Sequence, residues 1–144
     1  MAFKTEAFVL RARPWRNADR VYDLLTPQEG VINAVLRSAA KSSSKLAGHL
    51  LPFSKVKVMI GRGRLDHMAG VSTIKDFSQI RNNLRNLSLA SSLAELFLNE
   101  GAQGDKQQEF SLFGSILSYL DDDQVSDERK LLLVRIFLWK YLSL

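Results

Sequence analysis

The sequence predicts an α+β fold, a small five-stranded β-barrel followed by about three α-helices. Three observations predict it. Up to about residue 78, β-forming and apolar residues come in short runs broken by Pro, Gly and Ser. Beyond that point apolar residues recur at helical spacing. Only one connection in the first part, residues 38–52, is long, which suits five short strands closed on themselves.

The first run, residues 3–12, is rich in β-formers and aromatics, and Pro14 ends or bends it. Residues 19–26 (DRVYDLLT) form the second, stopped by the turn at 27–30 (PQEG). Residues 31–37 are the third, with Ile32, Ala34 and Leu36 on one face and Val31, Asn33, Val35 and Arg37 on the other. Residues 55–60 alternate most cleanly, Val56, Val58 and Ile60 against Lys55, Lys57 and Met59, as in a half-buried strand. A turn at 61–64 (GRGR) leads into the fifth run, 65–75. The connection 38–52 is polar, rich in Ser and Lys, and weakly helical at most.

After residue 78, Leu84, Leu87, Ser91, Ala94 and Leu98 mark one helix, its stripe widened by Leu93, Leu96 and Phe97. Residues 101–106 (GAQGDK) break it. Phe110, Phe113, Leu117 and Leu120 mark a second helix. Ser126 is the expected N-cap of a third, with Asp127 and Glu128 in its first turn, where the helix dipole favours acids. From 131 to 142 only Arg135 and Lys140 are polar. A helix apolar nearly all round calls for burial on every side. The expectation is therefore a dimer contact or cover from sequence outside this chain. The domain division expected is 1–78 for the barrel and 79–144 for a helical part.

With 144 residues the chain makes one domain or two small ones. The absence of cysteine excludes disulfides and thiolate zinc sites and suits a reducing cytoplasm. The N-terminal apolar stretch is broken by Lys4 and Glu6, unlike a signal peptide. The 131–142 block is too short to span a bilayer, and no Lys/Arg-rich amphipathic helix suggests a membrane surface. The default expectation is a soluble cytoplasmic protein.

Charge is distributed unevenly. Residues 1–90 hold 15 Lys and Arg against 6 Asp and Glu, a net +9, whereas residues 91–144 hold 5 against 9, a net −4. A folded β module with one sign of charge is suited to a polyanion, most commonly nucleic acid. Three clusters carry the signal. Arg11, Arg13 and Arg16 surround Trp15, which could either stack on a base or close the barrel. Arg37, Lys41 and Lys45 flank a Ser-rich loop. Lys55 and Lys57 share the outward face of a strand that Arg62 and Arg64 extend. Lys4, Lys75, Arg81 and Arg85 read as solubilising charges. A basic groove with stacking aromatics on a small barrel is how OB-folds bind single strands, each stacked base contributing on the order of 1–3 kcal/mol.

Catalytic signals are weak. His49 and His67 stand outside any His–carboxylate cluster, and no GxSxG occurs. Asp121, Asp122 and Asp123 lack the spacing of a calcium loop and read as a solvated connection. Gly61 and Gly63 lack the third glycine and following helix of a dinucleotide fingerprint. No catalytic, metal or cofactor set is expected. Two other classes stay open, a protein-interaction adaptor and an RNA-binding OB-fold protein.

Several segments resemble the bacterial recombination mediator family RecO. They are the Thr5-Glu6-Ala7 first strand, Asp19-Arg20 before the second, and the Thr26-Pro27-x-x-Gly30 turn. Arg37 leading to residues 41–44, residues 45–50 (KLAGHL) and Pro52-Phe53 add to them. The match covers about residues 3–77 and continues more loosely into the helices. The resemblance implies an N-terminal OB-fold and a helical domain. It implies binding of single- and double-stranded DNA, annealing of strands coated with single-strand DNA-binding protein, and action with RecR to load RecA. Members are neither ATPases nor nucleases. By the same resemblance, Arg37, Lys41 and Lys45 would lie in the DNA-contacting region. Members usually run about 100 residues longer, and many carry a four-cysteine zinc motif that this chain lacks. Binding of single-strand DNA-binding protein is associated with the helical part. The indirect partner is RecA, and the expected location is the nucleoid.

Overall fold

A computed structural model describes residues 1–100 and 103–144. Five strands close a barrel in the order β1-β2-β3-β5-β4: β1 (Ala2–Pro14), β2 (Arg20–Thr26), β3 (Gly30–Leu36), β4 (Lys55–Gly61) and β5 (His67–Lys75). This is the five-stranded barrel of an OB-fold within an α+β chain. Strand β1 serves two neighbours. Its first half pairs with β4 from Ala2↔Gly61 to Phe8↔Lys55, and its second half with β2 from Phe8↔Leu25 to Pro14↔Arg20. A register shift between Val9 and Arg11 lets it bend from one to the other. Gly30, at φ 70°, supplies the left-handed residue that ends the β2–β3 turn. The parallel closure between β3 and β5 rests on one pair, Val35↔His67, and the Val35 N–H donating to the Asp66 carbonyl at 2.9 Å.

Alternation sorts the apolar residues into two cores. Ala7, Val9, Tyr22, Leu24, Ile32, Ala34, Leu36, Val56, Val58 and Ile60 fill the barrel. Ala39 and Leu50, from the connection between β3 and β4, join them. That connection contains one 3-10 turn, Ala47–His49, in keeping with its weak helical signal. Phe8, Leu10 and Leu25 point to the outer face and join Phe53 and the helices in a second core.

Among the described residues there are four α-helices, where the sequence suggested about three: α1 (Ser78–Arg81), α2 (Leu84–Asn99), α3 (Gln107–Asp121) and α4 (Asp127–Leu142). The added one-turn α1 is capped by Asp121, whose carboxylate accepts the N–H groups of Gln79 (2.9 Å) and Ile80 (3.2 Å). The stripe expected on α2 is corrected. Its buried residues are Asn86, Ala90, Leu93, Ala94 and Phe97, and Leu84 is exposed. Apolar residues occupy so much of this helix that spacing alone does not fix the buried face. The α3 stripe holds, with Ile116 added. Ser126 caps α4, its hydroxyl accepting the Arg129 N–H at 3.2 Å. Of the break expected at 101–106, Gly101 and Ala102 lie outside the described residues; the rest separates α2 from α3. That linker is stitched to the β2–β3 turn by Gly104 N–H to Glu29 O (3.2 Å) and Lys106 N–H to Pro27 O (2.8 Å).

Helix α4 buries only Lys130, Val134 and Phe137. Leu131, Leu132, Ile136, Trp139 and Leu142 are exposed. Among the described residues, no helix is long and apolar enough to cross a membrane.

Candidate nucleic-acid interface

At one end of the barrel the β1–β2 turn meets the chain that leaves β3. The Ala40 N–H donates to the Ala18 carbonyl at 2.9 Å, and the Ser38 N–H to the Asp19 carboxylate at 2.8 Å. Ser38 adopts φ 58°, a left-handed conformation that the Asp19 bond supports. Two of the three predicted clusters thus adjoin. Arg16 follows β1, Arg37 follows β3, and Lys41 and Lys45 lie in the loop beyond. All four are exposed. Arg20, which pairs with Leu36 in the β2–β3 register, belongs to the same end. Trp15 joins neither core and stays 41% exposed, and the Arg16 guanidinium lies 5.7 Å from its ring centroid. An exposed ring beside cations is the kind of surface on which a base can stack.

Arg13 is held by a residue outside the three basic clusters. Asp23 is fully buried on the outer side of β2, where its carboxylate accepts from Arg11 Nε at 2.7 Å, Arg13 Nη2 at 2.9 Å and Asn33 Nδ2. The fan spans β1, β2 and β3 and fixes two arginine side chains that stay nearly half exposed. An acid inside an otherwise apolar run, opposite arginines two apart on the next strand, was the available signal.

The third cluster disperses. Lys55 folds towards the barrel–helix junction, with Nζ 3.2 Å from Glu6 and 5.7 and 5.6 Å from the Phe8 and Phe110 centroids. Lys57 lies on the outer face between β1 and β5, opposite Glu6 and Ser72. Arg62 binds Glu29, meets Asp66 at 3.3 Å and covers the Phe3 ring at 4.4 Å. Its hydrogen bond to Glu29, aided by the charges of Glu29 and Asp66, raises its pKa above the ordinary arginine value. Arg64 is exposed beside it on a shallow basin that Asn33 and Leu65 also line.

Two charges expected to be merely solubilising have structural partners. Arg81 binds the Asp76 carboxylate and donates to the carbonyls of Pro52 (3.1 Å) and Asp76 (2.7 Å). Arg85 pairs with Asp127 at 2.8 Å. His49 Nδ1 lies 2.7 Å from the Thr73 hydroxyl, and the His67 ring packs over Gly61. The carboxylates of the first 90 residues therefore sort its cations. Among the described residues, Arg16, Arg20, Arg37, Lys41 and Lys45 at the loop end meet no carboxylate within ion-pair distance, and neither do Lys4, Lys57, Arg64 and Lys75 elsewhere.

Comparison with known proteins agrees with this architecture. The family model described as "Recombination protein O N terminal" matches residues 1–80. A DNA repair protein RecO of Dehalococcoides mccartyi is 35% identical over 121 residues, 83% of this chain and 47% of the relative. That of Desulforudis audaxviator is 32% identical over 99% of this chain and 56% of the relative. That of Alkaliphilus metalliredigens is 29% identical over 100% and 59%. The chain spans about half the length of these relatives. With the family model matching residues 1–80, more than half of its length, the chain belongs to the RecO family, whose curated members carry the name DNA repair protein.

Proposed function

We propose that this chain is a non-catalytic DNA-binding module of recombinational repair. Residues 1–78 bind single- and double-stranded DNA, and residues 79–144 form a helical platform. Cations at the loop end lower phosphate repulsion, so that two complementary strands approach while their bases stay free to pair. Phosphate contacts carry no base information, so no sequence readout is expected. By family membership the partners are RecR and single-strand DNA-binding protein, RecA is loaded indirectly, and the work is done in the cytoplasm at the nucleoid.

One observation carries this reading: the β1–β2 turn and the loop after β3 are hydrogen-bonded together, gathering Trp15, Arg16, Arg20, Arg37 and Lys41 at one end of the barrel. The test is oligonucleotide binding across a salt series. Substituting Arg37, Lys41 and Lys45 with Ala should weaken binding and reduce the magnitude of the log–log salt slope by about 2, at about 0.7 per phosphate contact. Unchanged affinity and slope would remove the loop from the interface. The exposed apolar face of α4 favours a second reading, a protein-interaction adaptor. Under that reading the same three substitutions leave partner binding intact.

A further inference from the structure

An open cavity of about 330 Å³ lies where β4 and β5 meet α3, apart from the loop end. Its floor is aromatic. Phe8 contacts Phe110 at 4.7 Å and Phe77 at 6.4 Å between centroids. On one side stand Lys55 and Lys75, direct partners in the β4–β5 register. The Lys75 Nζ lies 4.8 Å from the Phe77 centroid, and that of Lys55 lies over Phe8 and Phe110. The opposite wall is α3 at Gly114, where an added Cβ would come within 3.1 Å of Phe8.

Like charges directly opposed on a β ladder disfavour the pairing. The nearby acids offset them only in part. Glu6 meets Lys55 at 3.2 Å from a half-exposed position. Asp76, next to Lys75 in sequence, is engaged by Arg81. Lys75 meets no carboxylate within ion-pair distance among the described residues. Two ammonium groups beside an apolar floor match a group that carries up to two negative charges and several acceptor oxygens.

We propose that Lys55 and Lys75 together bind a phosphate group at this junction. The inference rests on the DNA reading only for the source of the phosphate, a strand or a free anion. From Phe8, opposite Lys55, to Pro14, opposite Arg20, β1 runs six residues, about 20 Å of strand. The site is thus separate from the Arg20 end of the barrel, where the β1–β2 turn lies.

The test is a titration of the full chain with inorganic phosphate, followed by the amide shifts of Lys75, Phe77 and Gly114. Saturable shifts at these amides are expected. They should be lost in K55A/K75A and should reach their midpoint at lower phosphate in E6Q, which frees Lys55. If the double variant fails to fold, K75Q alone should weaken the response. Non-saturating shifts spread over all basic residues would overturn the site. An oligonucleotide then separates the sources. If a strand supplies the phosphate, K55A/K75A lowers the magnitude of the salt slope by about 0.7, the value for one phosphate contact. An unchanged slope in K55A/K75A, with saturable phosphate shifts in the unsubstituted chain, assigns the site to free phosphate. Because Arg37 and Lys41 flank the segment bonded to the β1–β2 turn, their Ala variants should weaken oligonucleotide binding and keep the phosphate shifts. The two proposals can thus fail separately.

Discussion

Asp23 is fully buried although it faces outward from β2, because Arg11, Arg13 and Asn33 cover it where helices cover Leu25. Removing one partner of such a network leaves the others without their acceptor, and the cost exceeds that of losing a neutral hydrogen bond. Both arginines are nearly half exposed and regain water, which limits the loss. Asp23→Ala should therefore destabilise by about 2 kcal/mol, read as a lower denaturant midpoint with an unchanged slope. It should also loosen Arg13, so oligonucleotide affinity should fall less than in the loop variants. The residue was legible as an oddity, an acid in the DRVYDLLT run. Its partners were not, because strand register decides which side chains stand opposite.

At the scale of elements, two joints deserve separate tests. The first is β1 against the helices. Phe8 meets Phe110, Phe113 and Phe77 across the outer face of the barrel. Phe8→Ala should destabilise by about 3–5 kcal/mol, because the removed ring leaves a cavity between rigid elements. Chemical denaturation checks the size, and a loss below about 1 kcal/mol would mean that the helices collapse onto the barrel. The second joint is the β3–β5 seam, closed by one pair of residues and clamped by Arg62 on Glu29 and Asp66. Arg62→Ala should lower the melting temperature and speed hydrogen exchange at the Val35 amide, which donates across that seam. The raised pKa of Arg62 gives stability that is complete below the ordinary arginine value and lost only as pH rises through the raised one. Arginine titration at this clamp therefore adds no pH dependence near neutrality. Sequence placed Arg62 among DNA-facing cations because Glu29 and Asp66 are distant or unremarkable in the chain. The fold brings them together.

For the whole molecule, the +9 of residues 1–90 is a coarser quantity than the structure's pattern of paired and unpaired cations. Acids of the first half hold Arg11, Arg13, Lys55, Arg62 and Arg81. This leaves the loop-end cations without ion-pair partners among the described residues. The second whole-molecule feature is α4, which exposes Trp139 at 76% and Leu142 at 81% beside Leu131, Leu132 and Ile136. An apolar strip of this kind should bind a hydrophobic dye. Trp139→Ser with Leu142→Ser should reduce that fluorescence without lowering the melting temperature, since neither side chain is buried. An unchanged signal would place the dye elsewhere.

By itself the sequence determined the five strands, the helical second half, the Ser126 cap and the uneven charge. Each of these is written in residues close together in the chain, as a period of two, a period near 3.6, a capping hydroxyl or a local run of cations. Only the tertiary structure decided which face of α2 is buried, which arginines clamp the barrel and which remain available, and that Lys55 and Lys75 share a cavity. These depend on register and packing between segments up to dozens of residues apart, and local periodicity carries no information about such pairings.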